Sequence, residues 1–140
     1  MILTIVLSLC LALPPVDGPV VAGFEPSTGY AGHWGVDIGA DLGSEVSAPA
    51  AGVITFAGRV AGMKSVTIRL DERVRVSLSY LSSIDVSVGD RVEAGAMVGR
   101  SGLAHGEQAL HVSVRVGGVY VDPIPYLSCP RGTIRLLPDR

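Results

Sequence analysis

The stretch ALHVSVRV, residues 109–116, alternates apolar and polar side chains along much of its length. Its even-numbered residues are all leucine or valine, whereas its odd-numbered residues include His111, Ser113 and Arg115. Successive side chains of a β-strand point to opposite faces, so this period of two predicts a strand with one face in the core. The other face is polar, and it carries a histidine.

Short strand-like runs recur along the rest of the chain. They occur at residues 35–38, 53–57 and 65–70, and again in RVRVSLSYL at 73–81 and in the stretch 84–100. Turn-forming residues separate these runs, since the 140 residues include 18 glycines and 9 prolines. Six or more short strands with this spacing predict an all-β fold, a compact antiparallel β-sandwich or barrel-like pair of sheets.

The charge of the chain is nearly balanced. The formal net charge is −2, from 11 basic and 13 acidic residues that are scattered along the sequence. This distribution has no basic patch for nucleic acid or an anionic membrane. The charged segment DERVRV, residues 71–76, is expected to form a hairpin turn and an edge strand, because charge protects a sheet edge from further pairing.

The amino terminus differs in composition from the rest. Residues 2–13 carry no charge, and Pro14 and Pro15 then interrupt the apolar run. Twelve residues are too few for a bilayer span, which needs about 20. We interpret residues 1–13 as a signal peptide, which predicts a secreted or cell-envelope protein. A buried strand or a wrongly assigned start codon is the alternative, because no Lys or Arg precedes the run.

The remaining boundaries follow from this interpretation. Residues 14–30 are expected to form a leader segment, residues 31–128 the main domain, and residues 129–140 a C-terminal tail. Cleavage after residue 13 would remove Cys10 and leave Cys129 as the single thiol, so no internal disulfide is expected. The chain is expected to act as a monomer.

The three histidines, His33, His105 and His111, lie in two short glycine-containing windows. In GHWGVDIGA, residues 32–40, His33 and Asp37 have the same parity, and apolar residues flank the aspartate. A carboxylate in apolar surroundings needs a cation or hydrogen-bond donors. His33, Asp37 and His111 would together provide three zinc ligands and leave a fourth position open. Alternatively, His33 caps a turn and Asp37 begins a hairpin.

The segment HWGVDIG resembles the first motif of the lysostaphin-type (LytM-like) zinc metallopeptidases, His-x-Gly-x-Asp followed by an apolar and a small residue. The stretches 43–58, 80–102 and 110–127 are similar to later segments of that family, so the resemblance covers residues 32–127. It implies the family's β-fold with a groove. It also implies one zinc ion bound by His33, Asp37 and His111, and hydrolysis of a peptide bond in the stem or cross-bridge of peptidoglycan.

Two positions depart from the family pattern. The first histidine of the family's His-Leu-His is Ala109 here, and Tyr80 stands where a second active-site histidine is usual. Some actinobacterial members are more similar, with a histidine in the preceding loop and an RLLP-like tail; this chain has His105 and the tail 135–138. We therefore expect His105 to act as general base and the Tyr80 hydroxyl to stabilise the oxyanion.

Two other functions remain open at this stage. The missing histidines favour a module that has lost turnover and instead binds peptidoglycan or regulates a partner amidase. VSVGDRVEAG, residues 86–95, together with GMKS, residues 62–65, is also similar to the hairpins of biotin or lipoyl carriers. In such carriers the modified lysine follows the Val-Gly-Asp stretch, whereas Lys64 precedes it, so the order is wrong for a carrier.

Overall fold

The computed structural model describes residues 10–29 and 31–127. Strand accounts for 54% of the structure and helix for 3%, which confirms the all-β prediction. No helix within the described ranges is long and apolar enough to cross a membrane. The elements are β1 (Val20–Ala22), β2 (Glu25–Pro26), β3 (Gly32–His33), β4 (Val36–Gly39), β5 (Glu45–Ser47), β6 (Gly52–Val60), β7 (Met63–Arg69), β8 (Val74–Ile84), β9 (Arg91–Val92), β10 (Met97–Ser101), β11 (Leu103–Ala104), β12 (Glu107–Val116), β13 (Val119–Val121) and α1 (Ile124–Leu127).

Antiparallel pairing joins most of these strands into one large sheet. Its main path runs β1-β4-β12-β8-β7-β6-β9, while β10 pairs with β5 and β8, and β11 and β13 pair with β12. β2 and β3 form a separate two-stranded sheet. The eleven-residue strand β8 changes partners along its length. Its first half pairs with β12 and β7, and its second half pairs with β10. The predicted antiparallel architecture is therefore confirmed.

The alternation in residues 109–116 produces the expected two faces. Leu110, Val112 and Val114 of β12 have no exposed surface, and Val116 is 4% exposed. On the neighbouring strand β8, the residues of matching parity, Val74 to Leu78, are equally buried. The core therefore lies on one side of this sheet, and the polar side chains of both strands line the opposite side.

The segment DERVRV forms the predicted turn but not an edge strand. The Asp71 Oδ1 atom accepts hydrogen bonds from the backbone N–H groups of Arg73 (2.7 Å) and Val74 (2.8 Å). The strand that follows is β8, which lies between β12 and β7, so the edge-strand prediction is wrong. A central strand can carry Arg75 because one face of the sheet is open to solvent.

The N-terminal segment packs against the sheet. Leu11 and Val16 are 4% and 7% exposed, and the Leu11 N–H donates to the Tyr126 carbonyl at 3.0 Å. β1, inside the expected leader segment, pairs with β4. Residues 10–13 are thus part of the folded unit, although they form no strand. The boundaries of signal peptide, leader and tail stay predictions, and residues 1–9, Tyr30 and 128–140 lie outside the described residues.

Cys10 belongs to the described residues, and its sulfur takes part in a disulfide bond. The expectation of no internal disulfide concerned the chain after removal of residues 1–13 with a signal peptide, and it stays a prediction. Cys129 lies outside the described residues.

Candidate metal centre and active site

Four side chains converge at one end of the polar face of the sheet. His33 comes from β3, Asp37 from β4, His111 from β12, and His105 from the turn between β11 and β12. Their potential ligand atoms, the ring nitrogens and carboxylate oxygens, all lie within 4.8 Å of one another. Asp37 and His111 are far apart in the sequence, but the pairing of β4 with β12 makes them direct cross-strand partners.

The Asp37 carboxylate is the centre of the cluster. Its Oδ1 atom lies 2.8 Å from His111 Nδ1 and 3.1 Å from His33 Nε2, and these two nitrogens are 3.2 Å apart. Asp37 is only 4% exposed, and the His111 Nδ1–H donates to its Oδ1, which gives the buried carboxylate a partner. Two imidazole nitrogens and a carboxylate oxygen directed at one point are a donor set that suits zinc.

The orientation of the His33 ring favours metal binding. Its Nδ1 lies 2.6 Å from the Gly23 carbonyl oxygen, which can only accept a hydrogen bond. Nδ1 is therefore the protonated nitrogen, and Nε2 of the neutral ring directs its lone pair at the cluster. A hydrogen bond of this kind to the second nitrogen is the usual means of fixing a histidine ligand.

His111 is held in its neutral form. Burial of the imidazole lowers its pKa below the ordinary value of 6.5, although the hydrogen bond to Asp37 and the charge of that carboxylate oppose the shift. Positive charge on His33 or His105 would lower the pKa further. A neutral imidazole is the form that binds a metal ion.

Gly35 leaves the space that the His111 ring occupies. A Cβ atom at this position would lie 2.3 Å from the Val112 carbonyl oxygen and 2.8 Å from His111 Nε2. No side chain fits between β4 and the ring. This close approach explains the glycine between His33 and Asp37.

His105 reaches the cluster from a tight hairpin. His105 and Gly106 link β11 to β12 and both have positive φ, 53° and 84°, as a two-residue type I′ turn requires. The turn places His105 Nε2 at 3.6 Å from Asp37 Oδ2. The His105 side chain is 48% exposed, whereas that of Asp37 is 6% exposed. His105 thus covers the solvent side of the cluster, whereas Ala109, the third residue of β12, is fully buried.

Tyr80 lies beside His105 at an irregularity in β8. Ser79 pairs with Ser65 and Leu81 pairs with Lys64, so Tyr80 is an extra residue between two ladder positions. Its φ of 63° is uncommon for a residue with a side chain. Bulges of this kind redirect side chains next to active sites. Here the Tyr80 hydroxyl lies 3.4 Å from His105 Nδ1.

A groove of about 750 Å³ extends from His111 along the polar face. Hydroxyl groups form its floor, with the Ser65 and Ser79 side chains 2.8 Å apart and the Thr67 and Ser77 side chains 2.7 Å apart. Trp34 forms part of its wall. Sequence analysis did not assign this floor, although the shared parity of polar residues on β7, β8 and β12 was a signal that could have revealed it.

The antiparallel β-fold and a cluster of donors that suits a metal ion define the class of domain, and comparison with known proteins gives its family. The model of peptidase family M23 matches residues 31–123. This chain therefore belongs to peptidase family M23, a family of zinc-dependent metallopeptidases. The predicted resemblance to the lysostaphin-type enzymes is confirmed.

Individual relatives point the same way. An uncharacterized protein of Mycobacterium tuberculosis is 35% identical over 118 residues, which cover 79% of this chain and 26% of the relative. The DD-carboxypeptidase/endopeptidase Mpg of Neisseria meningitidis is 36% identical over 66% of this chain and 22% of its own length. The catalytic domain of the antimicrobial peptidase lysostaphin from Staphylococcus simulans superposes with a TM-score of 0.68 at 29% identity, over 80% of this chain and 93% of that domain. The chain thus spans about a quarter of the length of these curated relatives.

Proposed function

We propose that this chain is a zinc-dependent endopeptidase that hydrolyses peptide bonds in the stem or cross-bridge peptides of peptidoglycan. The observation that carries the proposal is the cluster of three imidazoles and one carboxylate, whose ligand atoms lie within 4.8 Å of one another. Membership of family M23 supports a peptidoglycan-hydrolase type of function. A substrate of this kind places the protein in the cell envelope or outside the cell.

Differences in distance and exposure within the cluster support a division into proposed ligands and a proposed catalytic group. His33 and His111 both lie within 3.1 Å of the same Asp37 oxygen, whereas His105 faces the other oxygen at 3.6 Å and is far more exposed. We therefore assign His33, Asp37 and His111 as the ligands of one zinc ion. Zinc held by these residues would lower the pKa of a water molecule and polarise the scissile carbonyl.

His105 is the proposed general base. When its Nδ1 donates to the Tyr80 hydroxyl oxygen, 3.4 Å away, Nε2 of the neutral ring has a lone pair directed toward the cluster. A base must lie within hydrogen-bond reach of the proton it accepts, directly or through one water. The hairpin turn between β11 and β12 places His105 at the cluster. The histidine that is usual in the family would instead lie on β12, at the position of Ala109.

Tyr80 is proposed to stabilise negative charge on the reacting carbonyl oxygen. Its ring packs against His105, with the ring centroids 4.9 Å apart, and lies 6.2 Å from the His111 ring. A phenol at this distance from the ligands can donate a hydrogen bond to a developing oxyanion. The hydrogen bond between His105 Nδ1 and the Tyr80 hydroxyl couples the two groups, so each influences which atom of the other carries its proton.

Release of peptide fragments from purified sacculi tests the proposal. Soluble fragments are expected with the wild-type protein plus zinc, and they should disappear on addition of a chelator and in the His111→Ala variant. Both losses are required, because a contaminating hydrolase would survive the substitution. Binding to sacculi without release would instead support the alternative, a wall-binding or amidase-regulating module without turnover.

A further inference from the structure

Three arginines form a row across the sheet at the end of the groove remote from the metal centre. Arg69 lies on β7, Arg75 on β8 and Arg115 on β12. The register makes Arg75 the direct cross-strand partner of both Arg69 and Arg115. Direct partners share a face of the sheet, so the three side chains leave the sheet on the same side.

The row lies on the face that carries the metal centre. His111 pairs with Ser79, Ser113 with Ser77, and Arg115 with Arg75, which gives three successive steps along β12 and β8. Arg115 is four residues from His111, about 13 Å along an extended strand. Hydroxyl-bearing side chains occupy the step between them. Arg75 and Arg115 both line the groove.

Nothing in the described part of the chain neutralises these arginines. The ion pairs found among the described residues all involve Asp37, so none of the three guanidinium groups pairs with a carboxylate there. Like charges directly opposite each other destabilise a sheet. The overall charge of the chain is −2, so the row is a local feature and not a consequence of a basic protein.

The position of Arg115 is further defined by an aromatic contact. Its guanidinium carbon lies 5.7 Å from the centre of the Tyr120 ring, within the range of a cation–π interaction. Tyr120 is itself the cross-strand partner of Arg115 and also lines the groove. The contact holds the side chain in place but leaves its hydrogen-bond donors available.

We propose that this row binds a carboxylate of the peptide substrate and so selects acidic peptides. The proposal rests on the proposed function for the nature of the ligand. A peptide extended along the floor from the metal centre reaches the row with about four residues, since an extended chain advances about 3.3 Å per residue. Guanidinium groups bind carboxylates with two parallel hydrogen bonds. The ligand would relieve the repulsion between the arginines, which no carboxylate of the described residues compensates through an ion pair.

Fluorescence of Trp34 can measure binding at this site, because it is the only tryptophan of the chain and forms part of the groove. The probes are the stem pentapeptide L-Ala-γ-D-Glu-L-Lys-D-Ala-D-Ala and the same peptide with its carboxylates amidated. The acidic peptide is expected to bind at least about tenfold more tightly than the amidated one. The double variant Arg75→Gln/Arg115→Gln should lose this preference while still binding the amidated peptide.

Two further variants serve as controls. Arg100→Gln removes one positive charge from β10, where the guanidinium donates to the Gly43 carbonyl and does not line the groove, so it should keep the preference. Arg115→Lys retains the charge but not the paired donors, and it should give an intermediate preference. Because removal of mutually repelling charges does not weaken the sheet, the melting temperature of the double variant should equal or exceed that of the wild type.

Equal affinity of the wild type for the two peptides, or no detectable binding of either, would overturn the proposal. Tighter binding of short-chain polyphosphate than of the acidic peptide would also overturn it and assign the row to phosphate polymers. Failure here is distinguishable from failure of the proposed function. An enzyme that hydrolyses sacculi without peptide preference refutes only the arginine site, whereas peptide preference without hydrolysis refutes only the peptidase.

Discussion

The two halves of the candidate site are built in different ways. Asp37 and His111 lie opposite each other on β4 and β12, and His33 is fixed by its bond to the Gly23 carbonyl. Tyr80 and His105 occupy a bulge and a hairpin turn, both with positive φ. The first half is largely buried and held by sheet pairing, whereas the second half is more exposed and held by local backbone geometry.

The two halves are suited to two different tasks, metal binding and proton transfer. A metal site needs donors at fixed distances, which paired strands provide. A general base needs access to solvent and substrate, which a turn at the rim of the sheet provides. The proposed ligands do not include position 109, and the proposed base His105 reaches the cluster from the turn between β11 and β12. Substitutions in the two halves should consequently affect different measurements.

The largest effect is expected for Asp37→Ala. Loss of the central carboxylate removes a proposed ligand and the acceptor of the His111 Nδ1–H. Zinc affinity should fall by at least about a hundredfold, and zinc content after dialysis should be well below one ion per chain. Elemental analysis measures it, with the exposed Asp41→Ala as the matched control. Full zinc content in the Asp37 variant would remove this residue from the ligand set.

His105→Ala should affect the rate but not the metal. As a general base, His105 is expected to contribute about 100- to 10,000-fold to the rate, while zinc content stays at the wild-type level. Hydrolysis of sacculi and zinc content are measured on the same preparation. If the variant lost zinc to the same extent as activity, His105 would be a fourth ligand, and the two halves would not differ in function.

Tyr80→Phe should produce a smaller loss. It removes only the hydroxyl and keeps the ring against His105, so turnover is expected to fall by about 100- to 1,000-fold. Zinc content and the melting temperature should not change. Undiminished hydrolysis would show that Tyr80 has a packing role in this position, and the oxyanion would then need another donor.

The smallest expected effect concerns pH. The pKa of His111 is lowered by burial, so between that value and the ordinary 6.5 the unfolded chain binds more protons than the folded chain. The stability of the metal-free protein should therefore decrease as the pH falls below about 6.5. Melting curves across this range should show a shallower decrease for His111→Gln. Parallel curves for the two proteins would mean that His111 does not titrate in this way.

The sequence specified the strands and the ligands better than the groove. The period of two in residues 109–116 predicts the buried face of β12, and the spacing of His33 and Asp37 predicts a shared side, since both are local properties. The register between strands is not local. The sequence therefore did not show that Arg69, Arg75 and Arg115 fall in one row, or that β8 is central and not an edge strand.

The same limit applies to the N-terminal segment and to His105. Residues 10–13 are apolar, and composition cannot distinguish a signal peptide from a segment that packs against Tyr126 of the folded chain. For His105, the glycine that follows indicated a tight turn, but the direction of the imidazole depends on the pairing of β11 with β12. Structure was required for both, because each depends on contacts between distant parts of the chain.

Diffraction at the zinc absorption edge, from crystals grown with zinc, would show most directly whether the buried half of the site holds an ion. One anomalous peak is expected, bonded by His33 Nε2, the Asp37 carboxylate and His111 Nδ1 at about 2.0–2.2 Å. His105 should lie beyond bonding distance of that peak. The absence of a peak at this position, or a peak held by other side chains, would contradict a catalytic zinc centre in this protein.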